Sequence, residues 1–446
     1  MHHLQSVSQQ PPEQWFCELW WYKLAHVCRR WRYLILASAS YLRLSLLCTP
    51  GMPVADMLTH SPPLLLIIDH LNYGYTMEED EQGIMLALQL RNRVRRIRLA
   101  MYVTDLELKN LMVALDGEFP MLEYLHISLE TDNLGFTLPN AFQAPRLRQL
   151  ITGNPSALIR SPLLTTSVDL VALELWDIHH DELLRLLSLL PQLEALDITI
   201  TWQRRPLLPV HDTETQLLDA PIMTQVTLPN LRVFAFVGDA DHLEELLHGI
   251  TAPLLERLEI RFFNKSDFSV PHLLQFMGAT ENNLGFGSTK FYFHQNVVRI
   301  KAYPHHGATM FNFSLAIGEK YLDSMVSVAA RISHSLRTMF STVEHLFLEI
   351  QWQQRKFSHI VPSHNLWRRL FRLFSNAKTL HVDVDDEFGG EISRSLLAED
   401  GESAMETLPE LEVLQYNTAR RIQGKVFDPF IDTRNCAGRP VTLVPL

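Results

Sequence analysis

One short pattern, repeated along the chain, limits what it can fold into more than any other feature. A turn residue, often proline, is followed by apolar residues two, five and seven positions later. Pro120 precedes Leu122, Leu125 and Ile127; Pro191 precedes Leu193, Leu196 and Ile198; Pro229 precedes Leu231, Phe234 and Phe236; Pro253 precedes Leu255, Leu258 and Ile260. Copies without proline keep the trio at Val94, Ile97, Leu99; at Leu170, Leu173, Leu175; at Val343, Leu346, Leu348; and at Ala377, Leu380, Val382. Pro145 with Leu147 and Leu150, and Pro409 with Leu411 and Leu414, add two more. The last two residues of each trio share one face of a strand, because side chains alternate. A unit this short cannot bury its own apolar face, so neighbouring copies must stack.

The first turn positions, 92, 120, 145, 168 and 191, are 28, 25, 23 and 23 residues apart, inside the 20 to 29 of leucine-rich repeats. Later positions, 229, 253, 341, 375 and 409, are less regular, and the gap of 88 residues predicts a further strand at Val297, Ile300 and Ala302. Helical periodicity fills residues 181–190, 242–250 and 366–374. Pro191 closes the first of these, since proline biases the preceding residue away from helix, and Asp181 is the predicted N-cap. The expected fold class is therefore α/β: an irregular leucine-rich-repeat solenoid over 49–446, a curved parallel sheet with helices on its outer face, capped by helices within 1–48. Irregularity is expected because the repeat's ladder asparagine is replaced by Glu130, Ile178, Thr201, Asp239 and Phe263, and long insertions are predicted at 201–227, 264–294 and 303–340.

Composition narrows the function. With 47% hydrophobic and 20% charged residues the chain is expected to pack rather than stay disordered. A net charge of −11 argues against nucleic-acid or anionic-membrane partners. The exception, five arginines within residues 91–98, reads as a strand with Val94, Ile97 and Leu99 inward and the arginines on the solvated side. Four scattered cysteines and the lack of a leader or long apolar run point to the cytoplasm or nucleus. His179-His180-Asp181, His305-His306 and the acidic Asp383, Asp385, Asp386 and Glu387 lack metal-ligand spacing. No nucleophile, zinc or phosphate-loop motif occurs, so no metal, cofactor or catalytic residue is expected and the chain reads as a non-enzyme.

Residues 15–48 read as a helix, with Leu24, Val27, Cys28, Trp31 and Ile35 at core-facing spacing, followed by a strand-like YLRLSL. Within it, Val27-Cys28-Arg29-Arg30-Trp31-Arg32 is similar to the V-C-[RK]-x-W-[RK] signature in the C-terminal half of an F-box. Together with "HSPPLLLIID", "RVRRIRL" and "PFIDTRNCAGRPVTLV", it makes the chain resemble the large F-box families with leucine-rich-type repeats of mushroom-forming fungi. That resemblance implies an F-box-like region over 1–48, with Leu24, Val27, Cys28, Arg30 and Trp31 on a Skp-family adaptor and thence on a cullin. It also implies a substrate-recognition subunit of an SCF-type ubiquitin ligase, holding an unknown target protein on its repeats. The opening Leu-Pro-x-Glu-Leu-Leu-like helix of an F-box is represented only by Pro11-Pro12-Glu13. The alternative is thus a non-catalytic repeat scaffold without adaptor binding.

If the trio faces the core, residues six and eight positions after the turn point outward. This row of candidate target contacts comprises His126 and Ser128, Glu174 and Trp176, Asp197 and Thr199, Glu259 and Arg261, Phe347 and Glu349, and His381 and Asp383. Trp176, an aromatic on that row, reads equally as an interface anchor or as a residue covered by a neighbouring insertion. Trp202, Arg204 and Arg205 form a second candidate cluster.

Overall fold

The computed structural model describes residues 20–445 apart from 40, 43, 73–77, 103–104, 131–136, 160, 202–224, 264–269, 279–284, 295–296, 306–309, 317–321, 352–363, 385, 398–406 and 418–423. The protein is mixed α/β, with mostly parallel strands, and divides into two compact units, Met1–Leu231 and Arg232–Leu446.

In the first unit, helices α1 (Trp20–Ala25) and α2 (Arg29–Ala37) precede strand β1 (Ser45–Cys48). Next come α3 (Val54–His60), β2 (Leu65–Asn72), α4 (Glu78–Gln89), β3 (Val94–Tyr102), α5 (Asp105–Leu115), β4 (Tyr124–Glu130) and β5 (Gln149–Thr152). Two short helices, Pro155–Ile159 and Leu163–Thr166, lead to β6 (Ala172–Trp176), α6 (His180–Ser188) and β7 (Ala195–Thr199). The seven strands pair in chain order, each parallel to the next. The repeat dictates this register: Ile68, Ile97, Leu125, Leu150, Leu173 and Leu196 lie opposite one another across six strands and are all buried. The helices close over that apolar face; Leu183, Leu184, Leu186 and Leu187 of α6 are buried.

The second unit runs β8 (Val233–Gly238), α7 (Ala240–Gly249), β9 (Arg257–Phe263), α8 (Pro271–Gly278), β10 (Phe286–His294), β11 (Val297–Pro304) and β12 (Met310–Ala316). It continues with α9 (Leu322–Ser335), β13 (His345–Gln351), α10 (His364–Phe371), β14 (Thr379–Asp383), α11 (Asp386–Leu396), β15 (Val413–Tyr416), α12 (Asp428–Cys436) and β16 (Thr442–Pro445). Strand order here is β8-β9-β12-β11-β10-β13-β14-β15-β16. The strand anticipated at Val297 is present as β11, but it is antiparallel to both neighbours. Its link to β10 is only residues 295–296, far too short for the crossover that a parallel pair requires. The expected all-parallel sheet is corrected accordingly, and the segments read as insertions at 264–294 and 303–340 contain α8, β10, β12 and α9. Aromatic rings lock helices to strands on the apolar face: Phe234 to Phe276 at 6.0 Å, Phe293 to Trp367 at 5.4 Å and Phe291 to Phe374 at 5.7 Å.

The prediction of Asp181 as an N-cap is overturned. His179 occupies the cap of α6 without a side-chain bond, and Asp181 sits in the first turn, where its charge still favours the helix dipole. In α7 the residue standing at a ladder-asparagine position, Asp239, is the cap, accepting from the backbone N–H of His242 at 3.0 Å.

Candidate functional site

The N-terminal helix departs from expectation. Instead of one helix, α1 and α2 are separated by a break at His26-Val27-Cys28, where Cys28 is extended and its Sγ accepts from the backbone N–H of Trp31 at 3.5 Å. Arg32 ties the two together, donating from Nε to the carbonyl of Ala25 at 3.1 Å. Of the residues read as core-facing, Ile35 is buried and Leu24 half-buried, whereas Val27, Cys28 and Trp31 are exposed. Val27 is 64% exposed, Trp31 46% and Leu34 54%. Trp31 and Leu34, at i and i+3 on α2, share one outward face, and Val27 is exposed in the break that precedes the helix. Arg30 is also exposed.

The second candidate surface is the sheet face opposite the buried trios. In the first unit one register row runs Asp69, Arg98, His126, Ile151, Glu174, Asp197. Arg98 grips Asp69 with two bonds, Nε to Oδ1 at 2.7 Å and Nη2 to Oδ2 at 2.6 Å. The remaining arginines of the 91–98 run are also engaged: Arg93 donates to the carbonyl of Leu64 at 2.8 Å and Arg95 to Glu123 at 2.9 Å. His126 lies edge-on to Trp176 at 5.9 Å, and Trp176 Nε1 donates to Glu174 Oε1 at 3.0 Å. Burial, with the Arg98 guanidinium adding to it, pushes the His126 imidazole down to about 4.

The row is less open than the spacing suggested. Glu174, Asp197 and Glu259 are buried, and His126, Ser128, Trp176, Thr199, Arg261, Phe347, Glu349, His381 and Asp383 are half-buried. Parallel strands lie close enough for side chains on one face to cover their neighbours. Trp176 is correspondingly not a free anchor. It lies over Gly153, where a Cβ would come within 3.2 Å of its ring. Trp202, Arg204 and Arg205 lie outside the described residues. The missing ladder asparagine is partly replaced by Asp177, whose carboxylate accepts from the backbone N–H of Thr201 at 2.6 Å.

The corresponding face of the second unit carries a row Glu259, Asn312, Lys301, Lys290, Phe347, His381 and, two residues on, a row Arg261, Ser314, Arg299, Tyr292, Glu349, Asp383. Arg257 donates from Nε to Glu259 at 2.6 Å, Lys290 pairs with Glu349 at 2.9 Å, and Phe347 packs on His381 at 5.5 Å. Asn417 extends the second row, donating to Asp383 at 3.1 Å. Lys290, Tyr292, Arg299 and Lys301 were not anticipated as site residues. The signal was available in the strict alternation of FYFH and VVRIKAY, which puts polar side chains on one face. Among the described residues no three His, Cys, Asp or Glu side chains are grouped to hold a metal ion, and no helix is long and apolar enough to cross a membrane.

No protein-family model matches the chain, and no curated protein is significantly similar to it.

Proposed function

We propose that this protein is the substrate-recognition subunit of an SCF-type ubiquitin ligase, an F-box protein of the kind found in mushroom-forming fungi. In this reading the parallel strands are leucine-rich-type repeats, and α1 and α2 dock on a Skp-family adaptor linked to a cullin. The observation that carries it is the exposed apolar pair Trp31 and Leu34 on α2, with Val27 exposed in the break before it, within and beside the F-box-like Val27-Cys28-Arg29-Arg30-Trp31-Arg32 segment. An apolar pair left in water on a helix gains free energy when a partner covers it. Ubiquitin transfer would belong to other subunits, and this chain would contribute only placement of the target.

The test is co-purification of the full chain with a fungal Skp-family adaptor. Capture by the wild type and its loss in W31A/L34A supports the proposal; no capture by the wild type sinks it. Recovery of a stable partner without the adaptor would favour the scaffold reading, in which the sheet face binds but no ligase assembles.

A further inference from the structure

The antiparallel strands of the second unit bring like charges together on the sheet face. Lys290 and Lys301 sit directly opposite each other on β10 and β11. Like charges in that position repel, which is unfavourable unless something neutralises them. Glu349 takes Lys290, at 2.9 Å. Neither Lys301 nor the exposed Arg299 has a carboxylate partner among the described residues. Both ammonium groups lean on one ring, Lys290 at 4.5 Å and Lys301 at 5.5 Å from the centre of Tyr292, which draws the two cations together beside it.

Arg299 and Lys301 are two residues apart on one strand, which places them about 7 Å apart on the same face. A chain lying extended across them presents its own alternate side chains at the same interval. Tyr303, 37% exposed, continues that face as an apolar neighbour. The protein as a whole carries −11, so this patch runs against its overall field and favours a locally acidic partner over a nucleic acid, which the net charge repels.

We propose that Arg299 and Lys301, beside Tyr292 and the Glu349-paired Lys290, form the docking site for an extended acidic segment of the target protein, with alternate Asp or Glu side chains. The inference rests on the target-binding half of the proposed function and is independent of the adaptor half.

The test uses full-length protein and fluorescence anisotropy with a labelled (Glu-Ser)6 peptide, against (Gln-Ser)6 and a phosphoserine peptide of equal charge. The wild type should bind (Glu-Ser)6, weaken as salt rises, and ignore (Gln-Ser)6. R299E and K301E should each weaken binding about fivefold or more, and the milder R299Q and K301M should weaken it in the same direction if a reversal disturbs folding. R337E, an equal charge change at an exposed position elsewhere, should change it less than twofold. No binding of (Glu-Ser)6 by the wild type, equal weakening by R337E, or a strong preference for the phosphoserine peptide would each overturn the proposal. Adaptor capture on the same preparations separates this failure from that of the ligase reading.

Discussion

His126 makes the first unit sensitive to acid in a way that one substitution can isolate. Its ring is held against Trp176, opposite Arg98 in the register, with Nε2 buried and without a hydrogen-bond partner among the described residues. Burial first, and then Arg98, lowers its proton affinity from the ordinary 6.5 to about 4. The unfolded chain therefore binds this proton more readily than the native one. The contribution to stability is complete above pH 6.5 and is lost as pH falls from 6.5 towards 4. At 1.36 kcal/mol per pH unit, the loss at pH 5 is about 2 kcal/mol. H126Q removes the titration while keeping a polar side chain of similar reach. Urea unfolding is followed at pH 7.5 and pH 5 by pulsed hydrogen exchange on a peptide covering Tyr124–Glu130, so that the readout stays in this unit. The wild type should lose about 2 kcal/mol more than H126Q between the two conditions. Carboxylates titrate in both proteins and cancel in the comparison, as does the constant cost of the new amide. A difference below about 0.5 kcal/mol would refute the assignment of a depressed proton affinity to this ring.

On the N-terminal helices, I35A should cost about 2–4 kcal/mol in urea unfolding because Ile35 is buried, whereas W31A should cost less than about 1 kcal/mol while removing adaptor capture. G117A should destabilise by more than about 1 kcal/mol, read as a lower urea midpoint, since Gly117 has φ +153, a backbone conformation that a residue with a Cβ rarely adopts. Thiol labelling at pH 8 should modify the exposed Cys28 and Cys436 and leave Cys48, whose thiol burial pushes up to about 12, unreacted until the protein is denatured.

The strands were legible because the repeat spacing states which residues must be buried. Every trio named on a parallel strand from Val94 to Leu414 is in the core, and the +5 positions of the first unit form one ladder; on the antiparallel β11, Ile300 and Ala302 are buried but Val297 is only half-buried, and Ala302, not Ile300, joins the row of Leu258 and Leu346. What the pattern could not state was strand direction. Lys290 and Lys301 became cross-strand neighbours through a two-residue link whose meaning lay in its shortness. Neither could it state coverage. Trp31 fits a helical stripe equally well facing in or out, and the break at His26-Val27-Cys28 takes Val27 out of the helix altogether; both are exposed. Glu174 and Asp197 alternate outward as read, yet close strand spacing and the overlying Trp176 bury them. Alternation tells a side of the sheet, and neighbouring rows decide exposure.

The order β9-β12-β11-β10-β13 also sets how the second unit can emerge during synthesis. In the first unit each strand finds its partner soon after it is made: Tyr124 pairs with Gln149, 25 residues on, and Ala172 with Ala195, 23 on. In the second, Arg257 waits for Met310, 53 residues on, and Ser288 for His345, 57 on. The added loop-closure entropy is small, about 0.6 kcal/mol for a doubling of length. The kinetic effect is larger, because Leu258, Ile260 and Phe262 keep an open strand edge until three further strands exist. The first unit can grow one strand at a time; the second must close as a block, and it is where chaperone dependence and aggregation during synthesis should concentrate.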